Sequence, residues 1–151
     1  MHSGFYEEKD GYEIFIVAPD LGATKKAQAC ADKIKASTIF CHKVRNPETG
    51  ALSSPVILNA DLLEQALKNP EAQLIVVDDI IDGGGTFIQL GKKLVEEYKV
   101  PKDNLHLFAS HGIFSKGLLE LKEYYHTIGC YHTLSSNTEE LIGLNVADRF
   151  N

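Results

Sequence analysis

Two adjacent carboxylates, a third close behind, three glycines and a hydroxyl stand together in Asp78-Asp79-Ile80-Ile81-Asp82-Gly83-Gly84-Gly85-Thr86. Consecutive glycines leave backbone N–H groups open to close approach and permit positive φ, so several amides can converge on one anion. A helix opening at about Phe87 adds its dipole to the same point. Such a cradle suits phosphate, with the Thr86 hydroxyl as a further donor. Asp78 and Asp79 would repel phosphate. Their chemistry is to accept hydrogen bonds from hydroxyls, or to ligate a divalent cation that offsets their charge. Hydroxyls beside a phosphate describe a sugar phosphate. The plainer alternative is a tight strand-to-helix turn that the aspartates merely cap.

A cluster of this kind depends on the elements that hold it at one edge of a fold. Short aliphatic runs predict buried strands at 14–18, 37–43, 73–78, 105–109 and 127–134. Between them, Ala27, Cys30, Ala31 and Ile34 recur at helical spacing, as do Phe87, Leu90, Leu94, Val95 and Tyr98. Further helices are predicted at 60–67, 117–125 and 138–142. Alternating strand and helix implies an open, mainly parallel five-stranded α/β sheet with helices on both faces. Ligands of such sheets bind beyond the carboxyl ends of the strands. The residues expected there are Pro19 to Gly22, Lys43 to Arg45, Asp78 to Thr86 and Ser110 to Gly112. Asp20, following Pro19, reads equally as a helix N-cap. The turn-rich segment 43–54 is expected to be mobile without ligand.

Bulk properties narrow the field further. With 151 residues, 44% of them hydrophobic, the chain suits one compact domain at 14–151 behind a polar segment at 1–13. Cys30, Cys41 and Cys130 have no zinc-like or paired spacing and read as buried thiols of a reducing, cytoplasmic environment. A net charge of −6 argues against general nucleic-acid binding. No apolar run approaches a signal peptide or a membrane span.

The stretch VVDDIIDGGGT resembles the phosphoribosyl diphosphate (PRPP) signature shared by type I phosphoribosyltransferases and ribose-phosphate diphosphokinases, the PRPP synthases. Three further stretches are similar to the synthases: IVAPDLGATKKAQACADKI, the Lys43-Val44-Arg45 triplet, and LFASHGIFSKG. The wording DGGGTF, HGIFSKG and KVRNPETG resembles a synthase subgroup that accompanies nicotinamide salvage enzymes.

The resemblance implies a type I phosphoribosyltransferase fold and the C-terminal, ribose 5-phosphate-binding domain of an enzyme that transfers diphosphate from MgATP to give PRPP. It implies that Asp78 and Asp79 bind ribose hydroxyls, and that Asp82, Gly83, Gly84, Gly85 and Thr86 hold the 5-phosphate. Asp20 would serve ribose and Mg²⁺. Lys43 and Arg45 would stabilise the transferring diphosphoryl group. Lys25 would lie near the site, and His111 would shape it. Partners would be ribose 5-phosphate, PRPP and ATP, without nucleic acid or membrane, in a homo-oligomer of the full-length protein. Two departures stand out. Gly83 replaces a threonine common in the family, and the chain matches only half of a two-domain synthase, so the isolated chain should be weak or inactive. Alternatives are a stand-alone type I phosphoribosyltransferase acting on a nucleobase, and a non-catalytic PRPP-binding subunit.

Overall fold

The computed structural model describes residues 13–133. Strand β1 (Ile14–Ala18) leads through a 3-10 turn into α1 (Thr24–Ile34). Next come β2 (Ser37–His42), β3 (Val56–Ile57) and α2 (Ala60–Ala66). β4 (Gln73–Ile81) then runs to α3 (Gly85–Lys92), whose last turn widens into a π-helical turn at Lys93–Glu97. β5 (Leu105–Gly112), α4 (Leu119–Tyr124) and β6 (Thr127–Thr133) complete the order. The helix expected at 138–142 and the polar segment at 1–12 lie outside the described residues.

The six strands form one sheet in the order β3-β2-β1-β4-β5-β6, parallel except where β3 runs against β2. The open, mainly parallel α/β architecture is as expected, with one more strand than the five predicted. β3 has two residues, too short for any periodicity to show. Its pairing of His42 with Val56 is extended by Asn59, whose side chain accepts from Phe40 N at 2.8 Å and donates to Thr38 O at 3.0 Å. A side-chain amide thus continues the ladder where the backbone leaves it.

Each central strand buries both faces. Phe15 and Val17 of β1 join Leu74 and Val76 of β4 beneath α2, α3 and α4, while Ile16, Ala18 and Val77 face Ala27 and Ala31 of α1. Near the end of β4 this alternation breaks. Val76 faces the larger core and, by strict period two, Ile81 should face the other; it packs instead in the larger core. The half-step falls at Asp78–Ile80.

Two strands differ from expectation at the end that matters. β4 continues past Asp78 to Ile81, paired with β5 up to Ile81 and Gly112, whereas its pairing with β1 stops at Val76. Asp78 and Asp79 therefore lie within a projecting ribbon of the sheet, and Ser110 to Gly112 are its neighbouring strand rather than a loop. The ribbon's hydrogen bonds carry the chain across Asp78 and Asp79 to Ile80 and Ile81, so a pair of carboxylates that reads as the end of an aliphatic run lies inside the strand.

Candidate functional site

Asp20 follows β1 with its side chain turned onto Ala23 N at 3.1 Å, capping the 3-10 turn, and its other oxygen lies 3.5 Å from Lys43 Nζ at the end of β2. The cap reading of Asp20 is thus seen directly, and its second oxygen faces a lysine. Asp78 lies near this pair. Its carboxyl is held above the ordinary range by burial and by the Asp20 and Asp79 charges, against a hydrogen bond from Asp79 N and the opposite charge of Lys43. Adjacent residues of a regular strand point to opposite faces. The half-step in β4 lets Asp79 meet a cation from α1: Lys26 Nζ donates to Asp79 Oδ1 and also to Ser110 Oγ on β5.

Lys26, not Lys25, is therefore the α1 lysine of this cluster; Lys25 is exposed. A signal for it existed. Position 26 lies four residues before Cys30, at the edge of the helix's apolar stripe, where a long side chain leans over the sheet while its charge stays wet.

The cradle forms where the glycines stand. Gly84 caps α3 with φ +84°, a left-handed backbone that glycine adopts without strain. The helix begins at Gly85, two residues before the expected Phe87. Gly83 and Gly85 have ordinary φ. A Cβ on Gly83 would lie 3.8 Å from Lys116 Cε, and one on Gly85 would lie 3.5 Å from Leu52 Cδ1. Of the three glycines, only Gly84 is demanded by conformation. No side chain caps α3, so its first amides keep no such partner. Asp82 is exposed, and Thr86 half-buried in the first turn.

Arg45 stands apart from the carboxylates. Residues 44–53 close into a hairpin through Ser53 N to Val44 O at 3.0 Å and Asn46 N to Ala51 O at 2.8 Å, and Arg45 Nη1 donates to Gly50 O at 3.2 Å. The turn-rich segment expected to be a flexible connection is bonded to itself. It rests on the body through Leu52 above Gly85 and a 3.4 Å contact from Lys93 Nζ to Ser54 Oγ. The structure brings together Asp20, Lys43, Asp78 and Asp79, adds Lys26 and Ser110, and sets Arg45 on a hairpin touching the glycine turn.

No group of three or more His, Cys, Asp or Glu side chains converges as a metal site among the described residues. A Mg²⁺ ion needs only one or two carboxylates besides water and substrate phosphate. Asp20 and Asp78 are carboxylates of the kind such an ion takes, and the Asp78 carboxyl, held up first by burial and further by the Asp20 and Asp79 charges, is one whose ionised form a cation would favour. The cysteines do not compete for it. Cys41 is buried, its thiol pushed up to about 12 by burial with help from the Asp20 charge, and Cys130 is also buried; Cys30 is only partly so. His111 is exposed and stacks on His132 across the strand pair, with ring centroids 5.4 Å apart. No helix among the described residues is long and apolar enough to cross a membrane.

No family model matches the chain. Curated relatives do. A ribose-phosphate pyrophosphokinase of Pyrococcus furiosus is 31% identical over 116 residues, which cover 77% of this chain and 37% of that protein. The chain thus spans little more than a third of the length of the relatives it matches. Among solved structures, the APRTase of Giardia lamblia complexed with 9-deazaadenine superposes with a TM-score of 0.63 at 13% identity, over 85% of this chain and 73% of that one. The adenine phosphoribosyl transferase of Trypanosoma brucei, in complex with AMP, pyrophosphate and ribose-5-phosphate, gives 0.54 at 12% identity, over 92% and 68%.

Proposed function

From a chain that is a sequence relative of the ribose-phosphate pyrophosphokinases and has the type I phosphoribosyltransferase fold, we propose a domain that binds ribose 5-phosphate and PRPP within a diphosphate-transferring enzyme. One observation carries the reading: a helix opened by a left-handed Gly84, with open glycines on either side, stands directly after a projecting strand that bears two carboxylates. The amides of Gly83 to Gly85 and the Thr86 hydroxyl would donate to the 5-phosphate, with Asp82 ordering the turn. Asp78 and Asp79 would accept from ribose hydroxyls.

In the reaction so assigned, the C1 hydroxyl oxygen of ribose 5-phosphate bonds to the β-phosphorus of ATP. The bond from that phosphorus to the α,β-bridging oxygen breaks, AMP leaves with the electron pair, and the hydroxyl proton passes to water. Such transfers depend mainly on positioning and charge neutralisation. Lys43, already beside Asp20, and Arg45, on the hairpin, are the cations for the transferring group. Asp20, with Asp78 beside it, would hold Mg²⁺, which when bound neutralises phosphate charge. ATP as the diphosphoryl donor and a homo-oligomer are the further partners this reading implies.

Calorimetric titration with ribose 5-phosphate and Mg²⁺ tests this. Saturable binding is expected, and silence at millimolar sugar phosphate would reject it. Asp78→Asn should lose that binding and yet fold at least as well. Its raised carboxyl means that ionisation costs stability above the ordinary aspartate range, so removing the charge relieves a cost that is present at neutral pH.

A second reading, a phosphoribosyltransferase acting on a nucleobase, draws support from the breadth of the structural match to the Giardia enzyme. Diphosphate released from PRPP only when a nucleobase is added would decide for it.

A further inference from the structure

We propose that Lys116, on the loop between β5 and α4, supplies the cation for the 5-phosphate of the bound sugar. This rests on the ribose 5-phosphate reading above and adds to it a residue outside the glycine turn.

The cluster is rich in anions, and its cations are already engaged. Lys26 is bonded to Asp79 and Ser110, Lys43 faces Asp20, and Arg45 donates to Gly50 O. A phosphate settling on the glycine turn beside Asp78, Asp79 and Asp82 needs positive charge that these three do not offer without breaking a contact. Lys116 makes no salt bridge or hydrogen bond among the described residues, and it is exposed. Its Cδ and Cε lie 3.9 Å and 3.8 Å from where a Gly83 Cβ would be, so its aliphatic stem occupies the ground that a side chain at 83 would otherwise take.

The placement is fixed by the backbone. Ile113 N and Phe114 N both donate to Ile81 O, at 2.8 Å and 3.4 Å, tying this loop to the last residue of β4, immediately before Asp82. Phe114 holds φ +52°, and its ring is buried over Gly112, where a Cβ would come within 2.2 Å of Phe114 Cε2. Gly117 N then closes the turn on Phe114 O at 2.9 Å. A buried aromatic and two bonds to one carbonyl therefore present Lys116 to the turn from a rigid support. Lysine suits this as a compact charge that can reach phosphate oxygens from several directions.

The experiment is calorimetric titration of ribose 5-phosphate, with Mg²⁺, into the full chain and three variants. Lys116→Ala should weaken binding about tenfold, the order expected for one charge-assisted contact open to solvent. Lys116→Arg should recover most of it, and Lys92→Ala, an exposed lysine at the far end of α3, should bind as the unaltered chain does. Binding by Lys116→Ala within twofold of the unaltered chain would overturn the inference, and so would an equal loss in Lys92→Ala, which would mark a general charge effect. No binding by the unaltered chain would instead reject the ribose 5-phosphate reading itself.

Discussion

At the scale of single residues, three neighbouring glycines have three different obligations. Gly84 is held at φ +84°, where a side chain brings strain wherever it points, while Gly83 and Gly85 have ordinary backbone and room for a methyl group. Gly84→Ala should therefore cost roughly 1–2 kcal/mol in urea unfolding, and Gly83→Ala close to nothing; equal costs would contradict the geometry. That the glycines would stand at the start of a helix was legible in the sequence, and α3 begins among them. Their division of labour was not, since it depends on φ values set by the packing of α3 on α4. The same limit applies to charge. Asp78 and Asp79 were legible as a pair, whereas Lys26, Ser110 and Lys116 come from three other segments, and only the fold brings them alongside.

At the scale of elements, the sequence read the strands where they are apolar and missed them where they are not. β1 was placed correctly from IFIVA alone. β4 and β5 were each closed three residues early: in β4 the Asp78-Asp79 pair interrupts the aliphatic run before Ile80 and Ile81, β5 ends in Ser110, His111 and Gly112, and both ends gain regularity from pairing with each other. β3 was invisible for the opposite reason: it is two residues held by a partner, with Asn59 lending its amide to the ladder. Asn59→Ala removes both side-chain bonds to β2 and should cost about 1–2 kcal/mol. Hydrogen exchange at Phe40 N should accelerate in that variant; unchanged protection there would mean that the amide contributes nothing. On the same strand, Thr38 Oγ1 is buried without a hydrogen-bond partner among the described residues.

At the scale of the whole molecule, stability and binding draw on different titrating groups. His106 in β5, with Nε2 donating to Gln73 Oε1 at 2.7 Å, has its pKa lowered from 6.5 to about 4 by burial, aided by the nearby His126. On acidification the unfolded chain takes up the proton near pH 6.5 while the folded chain resists it until about pH 4, so stability falls across that window and levels off below it. The full shift would correspond to ~3 kcal/mol, reduced to roughly 1–2 kcal/mol by the ring's partial contact with solvent. Urea unfolding at pH 7.5, 6 and 5 should show the decline, and His106→Gln should flatten it. Parallel slopes in the two proteins would remove His106 from the account. His106 lies at the amino-terminal side of the sheet, beside Gln73, so this acid sensitivity should leave sugar-phosphate affinity at pH 7 unchanged.

The Leu52 methyl above Gly85 carries one more implication. A side chain at position 85 would meet Leu52 Cδ1 at 3.5 Å, and Leu52 is bridged to Arg45, so bulk added at the helix start bears on the hairpin that carries the guanidinium. If the proposed sugar phosphate moves Leu52, its affinity and the posture of Arg45 become linked, each biasing the other by the same amount. Leu52→Ala should then break that link, leaving the hairpin's behaviour the same with and without sugar phosphate.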